Sequence, residues 1–145
     1  CRAVIPVSAQ VFVEARTLAG IRSAKAAFAA PSELARLARW HGGKARWVLD
    51  AWTETWLSPG FSDWTIVHQI RTIQCPVLAI HGEEDEYGSS AFPEAIEAGV
   101  AGEVEMILLP GCGHVPHREK TEEVLDAIER FFLNLKGASQ PAGSQ

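Results

Sequence analysis

The sequence predicts an α/β fold built on a parallel sheet of about three strands, with flanking helices and a separate helical insertion. Three observations carry this. Short, β-branched apolar runs at residues 2–7, 72–81 and 104–109 read as strands. Helical patterns separate them, and an amphipathic helix follows the last. Strand, helices, strand, helix, strand, helix is the order that right-handed crossovers produce.

The first run, Arg2-Ala-Val-Ile-Pro-Val7, places Pro6 at its end, where a missing N–H does least harm to a ladder. From residue 11 to 29 the apolar positions Phe12, Ala15, Ala19, Ile21 and Ala26 interleave with charges, and Pro31 marks the stop. Ser32 is a candidate cap for a second helix over 33–40. Gly42-Gly43 breaks it, and a third helix over 44–57 ends at Ser58-Pro-Gly60. The second strand runs from 72 to 81, with a fully apolar centre from Val77 to Ile80. A short helix over 93–98, the strand at 104–109 and a helix from 121 to 135 follow. Val124, Ala127, Ile128, Phe131, Phe132 and Leu135 form the last helix's apolar stripe. Lys136-Gly137 is expected to close it, leaving residues 138–145 as a disordered tail.

Composition narrows the function. With 145 residues and 47% hydrophobic content, the chain can bury a real core. A net charge of −5 argues against nucleic acid and anionic membrane surfaces. Three dispersed cysteines (Cys1, Cys75, Cys112), with no Cys-x-x-Cys, favour a reducing cytoplasm over a disulfide scaffold. No apolar run approaches the roughly 18 residues of a membrane span. The opening at Cys1, with a strand-like run almost at once, reads as a chain that begins mid-fold.

Two segments carry chemistry. Cys75-Pro-Val-Leu-Ala-Ile-His-Gly-Glu-Glu-Asp85 sets a carboxylate just past the carboxyl end of a buried strand. Pro110-Gly-Cys-Gly-His114 sets a histidine in a glycine-flanked turn after the next strand. Two such loops share one sheet edge, where open α/β sheets bind ligands. A carboxylate there can fix the tautomer of an imidazole and stabilise its protonated form. The alternative reading makes Asp85 one member of a solvated acidic turn, Glu83 to Glu86, and His114 a satisfied loop histidine.

From Arg2 to Leu135 the chain resembles the C-terminal half of an α/β-hydrolase: the sixth strand, a helical lid over about 11–58, and strands seven and eight. The matches are Pro76-Val-Leu-Ala-Ile-His-Gly82, Asp85, Gly113-His114 with Glu119, and the run from Phe61-Ser-Asp-Trp64 to Cys75-Pro76. By that resemblance Asp85 is the triad acid and His114 the general base, in the order Ser…Asp…His. The family's Gly-x-Ser-x-Gly is nowhere in the sequence. Ser8, Ser62, Ser89 and Ser90 lack its small neighbours, and Cys112 reads as a small residue in a tight turn. The resemblance therefore implies an ester or related acyl hydrolase whose nucleophile is missing from this chain, inactive alone. It also implies association with a missing N-terminal half or a second copy. Trp40, Trp52, Trp56, Tyr87 and Val115 are candidate lining for a small apolar acyl or aryl substrate, although the tryptophans could equally be core. No cofactor is called for. Two alternatives stay open: a non-catalytic ligand- or partner-binding module, and a metal site drawn from His81, Asp85, His114 and His117.

Overall fold

The computed structural model describes residues 1–138. Helices α1 (Ala15–Ala27), α2 (Pro31–His41), α3 (Ala45–Leu57) and α4 (Val67–Ile70) precede strand β1 (Val77–Gly82). Helix α5 (Ala91–Gly99), strand β2 (Val104–Leu109) and helices α6 (Pro116–Glu119) and α7 (Thr121–Ala138) follow.

β1 and β2 pair in parallel, from Val77 opposite Val104 to Gly82 opposite Leu109. The expected first strand is present as a bridged segment. Val4 and Val7 bridge in parallel to Val77 and Ile80 on the other side of β1. Val4 N–H donates to Pro76, Leu78 N–H to Val4, Ile80 N–H to Pro6 and Ser8 N–H to Ile80. Pro6 can accept but not donate, so a rung is lost midway and the pairing breaks into isolated bridges.

β1 is buried along its whole length, as a strand covered on both faces must be. Leu78 and Ile80 face Leu109, Cys112 and the α7 residues Val124, Ala127 and Phe131. Val77 and Ala79 face the opposite way, toward Val11, Ile70, Phe92 and Ile96. This is the two-residue alternation of a strand. Each fully buried Val, Leu, Ile or Phe among them is worth about 1.5–3 kcal/mol.

Several boundaries differ from the expectation, each for a local reason. α1 starts at Ala15 because Val11 O is taken by Ile66 N–H and the Thr65 hydroxyl, and Phe12 bridges Thr65 antiparallel. Pro31 occupies the first turn of α2 and Ala30 is the cap, so Ser32 lies inside the helix. Thr72 and Ile73 turn back onto α4, which leaves the strand to begin after Pro76. α7 runs through Lys136-Gly137 to Ala138, and the rest of the expected tail lies outside the described residues. α4 and α6 are too short for periodicity to reveal.

In the insertion, α1 buries Thr17 and Ile21 while α3 buries Ala45, Leu49 and Thr53. α2 buries nothing. No helix among the described residues is long and apolar enough to cross a membrane.

Candidate active site

β1 stops at Gly82 because the next loop must pass under the loop after β2. A Cβ on Gly82 would run into the carbonyls of Cys112 and Gly113. Glu83 N–H donates to Leu109 O and Glu84 N–H to Cys112 O, so the two loops are laced together at the sheet's carboxyl edge. The turn that follows buries Asp85, which is 1% exposed.

His114 Nδ1 lies 2.8 and 3.0 Å from the two carboxylate oxygens of Asp85. Tyr87 N–H donates to Oδ1 at 2.7 Å. Burial opposes the Asp85 charge most strongly, yet hydrogen bonds from His114 and Tyr87, with the nearby imidazole charge, together outweigh it and lower its pKa. The hydrogen bond to Asp85 raises the His114 pKa against the burial of the ring, helped by the charges of Asp85, Glu86 and Glu119. His114 makes no hydrogen bond through Nε2 among the described residues, and its side chain is 35% exposed.

Both loops are secured from outside. Glu14 accepts the Ser89 N–H at 2.6 Å and the Ser89 hydroxyl at 2.9 Å. Thr17 and Gln10 donate to the Tyr87 carbonyl at 2.6 and 3.0 Å. Glu119 accepts N–H groups on both sides of His114. Sequence reasoning missed Glu14, Thr17 and Gln10, whose partners are 70 residues or more away and leave no local signal.

A family model described as the alpha/beta hydrolase family matches residues 2–127. The chain belongs to the alpha/beta hydrolase family. No curated protein sequence matches it significantly. In fold it is similar to NosK from Streptomyces actuosus, with a TM-score of 0.69 and 20% identity over 93% of this chain and 59% of NosK. It is also similar to a serine hydrolase involved in carbazole degradation (TM-score 0.63, 16% identity, 90% of this chain, 54% of that one). An esterase from a Rhodococcus species gives a TM-score of 0.60 at 16% identity, over 92% of this chain and 56% of the esterase. The chain thus spans little more than half the length of these hydrolase-fold structures.

The remaining candidates of this family member separate into two groups. Tyr87 and Trp52 join the acid–histidine pair: the Tyr87 ring meets His114 edge-on at 4.8 Å, and Trp52 meets Tyr87 at 5.8 Å. Val115, half-buried, follows His114 and leads into α6. Trp56 instead packs with Phe61 and Trp64. Trp40, 82% exposed, borders a hollow with Phe28, Glu33, Arg36, Leu37 and Arg39.

None of the candidate nucleophiles hydrogen-bonds to His114. Ser89 is held by Glu14, and the Ser62 hydroxyl donates to Pro59 O. Cys112 is buried, and burial with the charge of Glu119 raises its pKa, which disfavours the thiolate. Ser8 is buried at φ 49°, and its hydroxyl has no hydrogen-bond partner among the described residues. His81 packs beneath the acid loop, with Nε2 3.2 Å from Gly88 O and 3.7 Å from Asp85. Among the described residues no three His, Cys, Asp or Glu side chains are placed to hold a metal ion.

Proposed function

We propose that this chain supplies the acid and base of a Ser-His-Asp hydrolase acting on carboxylic esters or related acyl groups. Residues 1–137 would be the C-terminal portion of the hydrolase domain, and the helices within 11–58 its lid. The observation that carries the reading is the His114 Nδ1 contact with a buried, doubly engaged Asp85. An imidazole held that way keeps its proton on Nδ1. Nε2 is then free to take a proton from a hydroxyl, and Asp85 stabilises the imidazolium that results. The low pKa of Asp85 and the raised one of His114 have the signs this task needs.

The nucleophile and the N–H groups that would bind an oxyanion are not contributed by these residues, so the chain alone is expected to hydrolyse nothing above background. The aromatic wall of Tyr87 and Trp52 beside His114 supports a small apolar acyl or aryl substrate. Leu125, Phe132 and Leu133 on α7 are about half exposed, which supports cover by a further half of the fold or a second copy. Three unpaired cysteines support a cytoplasmic setting.

The test is to express the chain with and without any coding sequence found to precede it, then assay p-nitrophenyl ester hydrolysis and labelling by a serine-directed phosphonate. The expected result is activity and labelling only in the longer product, with loss of turnover in Asp85→Asn and His114→Ala. Inhibitor-sensitive turnover by the 145 residues alone would refute the reading.

A further inference from the structure

We propose that Glu119 is a positioning residue for His114, its carboxylate strapping the backbone on both sides of the histidine so that the ring stays on Asp85. The inference rests on the reading of His114 as the base. Oε2 accepts Gly113 N–H at 2.7 Å and Oε1 accepts Val115 N–H at 2.9 Å. Those donors belong to the residues immediately before and after His114, so one planar group ties down the 112–113 and 114–115 peptides that bracket it. Hydrogen bonds to a carboxylate are stronger than neutral ones. In keeping with this, the two N–H groups hold the Glu119 pKa below the usual range.

Two features of the sequence make the strap possible. α6 places Glu119 one turn beyond Val115, with its own N–H donating to Val115 O at 3.1 Å, and this folds the carboxylate back over the turn. Gly113 then lets the carboxylate close in. A Cβ there would stand 3.1 Å from Oε2 and 3.3 Å from Oε1, tighter than ordinary contact.

The need for a strap follows from exposure. Asp85 is buried and held by the turn around it, whereas the His114 side chain is one-third exposed, lying against the Asp85 carboxylate and the Tyr87 ring. Three charged groups act on the imidazole, namely Asp85, Glu86 and Glu119. Any test must therefore separate the placement of the carboxylate from its charge. Asp at 119 keeps the charge but is one methylene short of reaching both N–H groups. Gln offers a single acceptor oxygen. Ala at 113 leaves Glu119 intact and displaces it.

The bland account is that Glu119 merely closes the short helix α6. That role would leave the His114 ring proton unmoved, so the readout is the deshielded, exchange-protected Nδ1–H resonance of His114 in the 145-residue chain labelled with ¹⁵N-histidine. The resonance is assigned by its disappearance in His114→Gln. We expect it in the wild type and in Glu123→Gln, a nearby charge removal. We expect its loss through exchange in Glu119→Asp, Glu119→Gln and Gly113→Ala, with the helical circular dichroism retained. Retention of the signal in folded Glu119→Asp and Gly113→Ala would overturn the strap alone. Its absence from the wild type would overturn the pairing of His114 with Asp85, and the strap with it.

Discussion

The Asp85 loop and the His114 loop sit side by side at one sheet edge but are held in different ways. Asp85 is 1% exposed, and its loop is tied to a distant part of the chain through Glu14, Thr17 and Gln10. His114 is a third exposed, and its loop is held by a nearby side chain, Glu119 five positions on, together with its bonds to the adjacent Asp85 loop. The difference matches what the two proposed roles would require. A carboxylate that must stay ionised in a buried site needs every lone pair engaged, since an unpaired buried charge is costly. A base that must reach a reacting hydroxyl has to keep one face open, so its order comes from the backbone beneath it.

If that contrast is right, Asp85→Ala is the most damaging change. It strands the Tyr87 N–H and the His114 Nδ1–H, at a cost on the order of 2–3 kcal/mol in urea unfolding. Gly82→Ala should follow, at about 1–3 kcal/mol, because the new Cβ meets backbone carbonyls that cannot step aside without parting the two loops. Glu14→Ala should cost about 1 kcal/mol and loosen only the acid loop, visible as faster amide exchange at Tyr87 and Ser89.

The pH dependence is smaller and two-sided. Asp85 has a depressed folded pKa, so its contribution is present above the unfolded value and is lost as pH falls through the folded one. His114 has a raised folded pKa, so its contribution is present below the unfolded value and is lost as pH rises through the folded one. The pair therefore stabilises most in the mildly acidic window between the two unfolded values. The stability gap between the wild type and Asp85→Asn should narrow on either side of that window. Trp40→Ala, far from both loops in exposure and contacts, should stay within about 0.5 kcal/mol.

Much of this was legible in the residues. The parallel order of β1 and β2, the carboxylate after Gly82 and the histidine after β2 follow from apolar runs that end in glycine-rich turns. Three kinds of feature were not. Pro6 was readable as a strand end, but not the lost rung that reduces residues 4–7 to bridges. Trp40 and Trp52 look alike in sequence. Only packing separates them, since Trp52 lies against Tyr87 while α2 buries no residue at all. The hold of Glu14 on Ser89 spans 75 positions and leaves no periodic trace. Local patterns encode elements, whereas the bonds that set a site's geometry are long-range and chemically ordinary.

The most direct check of the central claim is the titration of His114 by NMR in the wild type and in Asp85→Asn. The account predicts a wild-type pKa above that of an ordinary histidine, falling when the carboxylate is replaced, because the hydrogen bond to Asp85 is the largest influence holding it up. A His114 that titrates like a free imidazole in both proteins would show that the two loops do not form an acid–base pair.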